Sequence, residues 1–182
     1  MKYLYLIALI LSGITINAQS VKDPDSTGGF SIFRFGTSVR EINDIQRDTA
    51  SILNGKNLAV YRYNGDSLKN VFNVQVSEIR LMFYRDQLAR IDIRFGTKSR
   101  AYTQEEFNQV QQALETRYGK TSGKLAMSGA VLFAGFRWEG EKGSLDHTRF
   151  TSPLKKRGKQ DSIEGEISFT DKALNRQTTK GM

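Results

Sequence analysis

The only histidine in the chain, His147, stands in the run Leu145-Asp146-His147-Thr148-Arg149. An imidazole can act as a general base. On a strand its side chain points the same way as Leu145 and Arg149. Serine hydrolysis would also need a nucleophile on a sharp turn and an orienting carboxylate, and no G-x-S-x-G occurs. The chain has no cysteine, which together with a single histidine excludes thiol catalysis and His-rich zinc sites. His147 is therefore expected as a partly exposed strand residue near Glu164 or Glu166, and no residue is assigned as catalytic.

Paired carboxylates offer a second chemistry, that of glycosidases. Asp146, Glu164 and Glu166 fall on neighbouring predicted strands, where opposing arginines would equally explain them as cross-strand ion pairs. Asp23, Asp25 and Asp161 lack the spacing of a calcium loop, so no metal site is read. Gly28-Gly29 and the Gly-Thr turns lack the glycine and lysine spacing of a phosphate loop, and no cofactor is implied.

Two groups of cations remain as candidate interaction residues. Lys155, Lys156, Arg157 and Lys159 crowd one loop, a plausible contact for a polyanion. Arg80, Arg90 and Arg94 occupy alternate positions on a predicted hairpin, beside Asp92. Trp138, the sole tryptophan, ends a strand next to Gly140 and reads as a core plug rather than a binding residue.

The elements that would position these residues follow from periodicity. Arg34-Phe35-Gly36-Thr37 recurs letter for letter at Arg94-Phe95-Gly96-Thr97, and each copy ends an apolar strand-like run. Capping boxes follow at Ser38–Glu41 and Thr103–Glu106. The first predicts a short helix with Val39, Ile42 and Ile45 on one face. The second predicts a longer one with Phe107, Val110, Leu114 and Tyr118 in a stripe, stopped by Gly119. Period-two alternation predicts strands near 58–63, through Val74 and Val76 into 79–84, and over 89–95, with a tight turn at Arg85-Asp86-Gln87. Three more are expected at 130–138, 145–150 and 163–169, the last with Ile163, Ile167 and Phe169 inward.

Residues 1–18 carry Lys2, an apolar run from Leu4 to Leu11 and small or polar residues up to Ala18, the pattern of a cleaved secretory signal. The apolar run is too short for a spanning helix, which needs about 20 residues. Removal of the signal leaves 164 of 182 residues and lowers the formal net charge from +8 to +7. That is enough chain for one domain without disulfides. The division expected is a flexible linker at 19–29, one domain at 30–170 with halves near 30–92 and 93–170, and a polar frayed tail at 171–182. The fold class expected is α+β, a pseudo-duplicated helix-on-sheet domain built from two helix-plus-antiparallel-strand halves. Convergent turn chemistry is the competing explanation of the repeat.

The segments RFGTSVREI, IRLMFYRDQLARIDIRF and EEFNQVQQALETRYGK, with the lone tryptophan in FRWEG, resemble small uncharacterised secreted envelope proteins of Gram-negative bacteria. More distantly, the layout is similar to the β-lactamase-inhibitory protein and to outer-membrane assembly lipoproteins of the SmpA/OmlA type. This chain departs from the lipoproteins in having no cysteine to carry a lipid. The resemblance implies an exported protein of helix-on-sheet layout and carries over no functional residue.

Two functions are thus expected. The first is a non-catalytic periplasmic or secreted module that binds an envelope protein or an anionic cell-surface polymer, with no nucleic acid and no transmembrane segment after signal removal. The second is a small secreted hydrolase using His147 with strand carboxylates.

Overall fold

A computed structural model describes residues 28–51, 57–126, 131–151 and 162–179. Its centre is one antiparallel sheet. The strands are β1 Gly29–Phe30, β2 Phe33–Arg34, β3 Ile45–Arg47, β4 Leu58–Tyr63, β5 Asn70–Val71, β6 Val74–Tyr84, β7 Gln87–Phe95, β8 Gly123–Lys124, β9 Val131–Glu139, β10 Gly143–Thr151 and β11 Ile163–Asp171. The helices are α1 Gln104–Tyr118 and α2 Lys172–Thr179. The main sheet runs β3-β4-β6-β7-β11-β10-β9-β8, with β5 paired to β6. Strands β1 and β2 form a separate small hairpin.

The order of the main sheet shows how it is assembled. Strands β4, β6 and β7 form one meander and β9, β10 and β11 another, and the last strand of each pairs with the other along a central seam. In β6–β7 the two residues at the turn, Arg85 and Asp86, have φ of 47° and 68°. Positive φ at both central residues is the requirement of a type I′ hairpin turn, whose twist matches that of the strands.

Directly opposed residues of an antiparallel ladder share a face. The row His147–Ile167–Ile93–Ile79 and the row Leu145–Phe169–Ile91–Leu81 therefore point to one side. Helix α1 lies on that side: Phe107 stacks on His147 at 4.2 Å between ring centres, and Tyr118 approaches Phe169. The β1–β2 hairpin covers the same face farther along, where Phe30 stacks on Phe169 at 4.7 Å. The core fills the space between, with Leu81, Ile91, Ile93, Phe95, Val110, Leu114, Leu145 and Ile167 fully buried.

Helix α1 matches its sequence signals. The Thr103 hydroxyl accepts from the Glu106 N–H while the Glu106 carboxylate accepts from the Thr103 N–H. Gly119, at φ 80°, ends the helix, and its carbonyl accepts from the indole N–H of buried Trp138 at 2.8 Å. Thr103→Ala should lower stability by about 1 kcal/mol, because the Glu106 N–H at the exposed helix start loses its side-chain acceptor. A shifted urea midpoint with an unchanged slope would show it.

The expected class, two helix-plus-strand halves, is incorrect. The chain is mostly antiparallel sheet, and among the described residues its first half has no α-helix. The Ser38–Glu41 capping box is present but starts only a 3-10 turn, Val39–Glu41. Ile42 is already extended and Asp44 takes φ 57°, a left-handed conformation that a right-handed helix cannot contain. Ile45 then enters β3 instead of a helical stripe. The boundary expected between residues 92 and 93 falls inside β7. Part of the expected frayed tail, Lys172–Thr179, forms α2, which packs against β6, β7 and β11; the Asp171 carboxylate accepts from the Leu174 N–H at its start.

The two RFGT copies keep a local likeness without a shared half-fold. Gly36 and Gly96 take φ of 81° and 79°. The first copy also docks on the strand that ends in the second: the Gly36 N–H donates to the Leu88 carbonyl, and the Leu88 N–H to the Thr37 carbonyl. Strand β7 is thus bracketed by both copies. The expected signal, residues 1–18, and the start of the expected linker lie outside the described residues. Among the described residues no helix is long and apolar enough to cross a membrane.

Candidate functional site: a charged sheet face

The face turned away from α1 carries the chemistry. Register places Arg137, Asp146, Ser168, Asp92, Arg80 and Arg62 in one row across six strands. The next row is Gly135, Thr148, Glu166, Arg94 and Glu78. Charges of both signs are interleaved over the two rows, and although Arg80 and Arg62 are directly paired, each arginine has a carboxylate neighbour.

The contacts are specific. Arg90 Nε lies 2.6 Å from Asp92 Oδ1, and its Nη2 lies 3.3 Å from Glu166 Oε1. Arg94 Nε donates to the other Glu166 oxygen at 3.0 Å, and its Nη1 lies 3.7 Å from Glu78. Arg62 bridges Glu78 at 3.1 Å and Asp48 at 3.2 Å. Arg137 grips Asp146 with two bonds of 2.6 Å, the fork-on-carboxylate geometry that favours arginine over lysine.

Much of this network is withdrawn from water. Asp92, Thr148 and Ser168 are buried, and the Glu166 side chain is only 15% exposed. Burial, reinforced by the nearby Asp92 charge, raises the Glu166 pKa above the ordinary carboxylate value, although Arg90 and Arg94 pull the other way. Burial also opposes the Arg90 charge, but Asp92 and Glu166 outweigh it and hold the guanidinium more firmly protonated. The Asp146 hydrogen bond does the same for Arg137.

Two clefts open on this face. One, of about 210 Å³, lies over Arg90, Arg137, Asp146, Thr148, Glu166 and Ser168, with Leu125 and Ala126 at its side. The other, of about 420 Å³, lies among Arg62, Glu78, Arg94 and Glu164 near the end of β7.

Sequence-based expectations meet this arrangement unevenly. Arg80, Arg90 and Arg94 are brought together, each beside carboxylates. Lys155, Lys156, Arg157 and Lys159 lie outside the described residues. His147 is not partly exposed near Glu164 or Glu166: it is fully buried on the opposite side of the sheet, under α1. Asp146 and Glu166 are therefore separated from it by the sheet itself, and the hydrolase constellation is not assembled.

Instead His147 is held in a chain of polar side chains. Gln111 Nε2 donates to Glu115 at 2.8 Å, so Gln111 Oε1 faces His147 Nδ1 at 2.9 Å and makes that nitrogen the proton carrier. His147 Nε2 then accepts from the Tyr102 hydroxyl at 3.1 Å. Burial drives the imidazole pKa down to about 3 and raises that of Tyr102. The ring is neutral at physiological pH and serves as a buried hydrogen-bonding spacer between helix and sheet.

Arg62, Glu78 and Arg137 were missed. Period-two alternation identifies outward positions on each strand, but which outward positions meet depends on a register that sequence does not display. Among the described residues no cluster of three or more His, Asp or Glu side chains could hold a metal. No family model, curated protein or solved structure matches the chain, so its functional reading rests on this geometry.

Proposed function

We propose that the chain is an exported, non-catalytic module that binds an envelope component through the charged sheet face. The supporting observation is the partly buried network of Arg80, Arg90 and Arg94 with Glu78, Asp92 and Glu166. Withdrawing paired charges from water adds little to stability compared with apolar packing. A folded chain that already has a full core on the other side of the sheet gains recognition from it: directed donors and acceptors at fixed spacing. Export is supported by the signal pattern of residues 1–18.

Affinity capture from envelope extract with the tagged chain lacking residues 1–18 tests the reading. Arg90→Gln with Arg94→Gln should lose the captured component. Replacement of Lys155, Lys156, Arg157 and Lys159 by alanine should retain it. The reverse pattern would transfer the function to the basic loop, and an empty capture by the unaltered chain would remove the binding reading.

A further inference from the structure

The larger cleft has features that specify a ligand class. Strand β6 bulges between Val76 and Glu78, so the exposed Ser77 stands outside the ladder. Bulges of this kind re-aim side chains and recur beside functional sites. The facing wall is the second RFGT copy: Arg94, Gly96 and Thr97 all line the cleft. Gly96 combines φ 79° with a backbone packed so closely that a Cβ would meet the Ile163 carbonyl oxygen at 2.7 Å. The wall is therefore kept as bare main chain.

Charge in this cleft is balanced. Arg62 and Arg94 stand against Glu78 and Glu164, and both arginines are already engaged, Arg62 by Glu78 and Asp48, Arg94 by Glu166 and Glu78. A phosphate would have to break an arginine pair and sit beside Glu78 and Glu164, and an ammonium group would have to sit beside Arg62 and Arg94. Yet a guanidinium has five N–H donors and a carboxylate about four acceptor sites, so the pairs leave directed positions unused. A hydroxyl donates and accepts at once and can fill such positions without separating any charge. The side-chain hydroxyls of Ser77 and Thr97 and the amide of Asn64 add more of the same chemistry, and Tyr63 is the one aromatic ring on the border. A peptide would need apolar pockets for its anchoring side chains, and the lining provides none.

We infer that this cleft, of about 420 Å³, is a subsite for one unit of a neutral saccharide, built from the β6 bulge and the second RFGT junction. The inference rests on the binding-module reading above and gives its ligand a chemical class. The site works by hydrogen-bond matching, with Arg94 and Glu78 as paired anchors.

The test is an amide NMR titration of the ¹⁵N-labelled chain lacking residues 1–18. The probes are maltohexaose, cellohexaose, chitohexaose and mannohexaose, with inorganic phosphate and trialanine as contrasting ligands. Saturable shifts confined to the neighbourhood of Ser77, Gly96, Thr97 and Glu164 are expected with at least one oligosaccharide. Ser77→Trp, at an exposed position that tolerates a larger side chain, should fill the cleft and weaken that binding by roughly tenfold or more, with the rest of the spectrum unchanged. Shifts from phosphate or trialanine alone, no response to any of the four sugars, or undiminished binding by Ser77→Trp would each overturn the assignment. If the sugars fail while the Arg90 and Arg94 substitutions still abolish envelope capture, only the saccharide subsite falls. If both fail, the binding module falls with it.

Discussion

Between pH 7 and pH 4 the folded state should lose about 3 kcal/mol through His147 alone. The sign follows from the direction of the shift. In the unfolded chain the imidazole titrates near 6.5, whereas in the fold burial lowers it to about 3. The unfolded chain therefore binds a proton that the native chain refuses, so stability is fully present above about pH 6.5 and falls as the pH drops toward 3. Glu166 acts in the opposite sense, since its raised pKa makes the native state the better proton acceptor from the ordinary carboxylate range upward, so its protonation favours the fold as the pH falls through that window.

The variant His147→Phe separates the two. It should be less stable at pH 7, because the Tyr102 hydroxyl and the Gln111 carbonyl oxygen lose their partner, and leaving buried polar atoms unpaired costs about 1–3 kcal/mol each. It should also lose the steep decline between pH 6.5 and 5. Urea unfolding at several pH values provides the comparison. Parallel declines in the two proteins would show that His147 is not a buried neutral ring.

Gly165→Ala is expected to cost about 3 kcal/mol, the upper end of the usual range for overpacking. A Cβ at Gly165 would lie 2.1 Å from Tyr102 Cδ1 and 2.2 Å from Cε1. The ring cannot step aside: it is fully buried, stacks on Phe95 at 5.0 Å and bonds His147 through its hydroxyl. The backbone of the same residue is also fixed, because the Tyr102 N–H donates to the Ile163 carbonyl at 2.9 Å. Gly165 pairs with Phe95 in the ladder, so the glycine is the floor on which an aromatic ring from outside the sheet is seated. Thermal unfolding of the variant within a degree of the parent protein would contradict this packing.

Sequence made local features legible and long-range ones opaque. The capping boxes, the Gly119 stop, the Arg85-Asp86 turn and the alternation of β7 are written in neighbouring residues, and all are found in the fold. The first helix failed because a cap begins a helix without sustaining it: Asn43-Asp44 offers turn chemistry that competed with only three apolar positions. For the same reason one RFGT copy leads into a long helix and the other into a single 3-10 turn.

The candidate site was half visible. Arg80, Arg90, Arg94 and Asp92 lie on one hairpin, so alternation places them on one face. Glu166 and Asp146 join them only because β11 inserts beside β7, a pairing that no short segment announces. The orientation of His147 relative to Leu145 and Arg149 was readable, but which face the helix would cover was not, and that choice decides whether the imidazole meets carboxylates or Phe107 and Gln111.

The seam between β7 and β11 also bears on how the chain reaches its native state. Arg90 and Glu166, bonded across it, are 76 positions apart in sequence. The β6–β7 hairpin can close in microseconds around its two-residue turn, but the seam must await the whole second meander. Loop-closure entropy is lost before these distant contacts compensate for it, so this topology belongs among the slow folders. Until the strands meet, each meander exposes an unpaired edge, and the kinetic bottleneck of folding coincides with the assembly of the charged face.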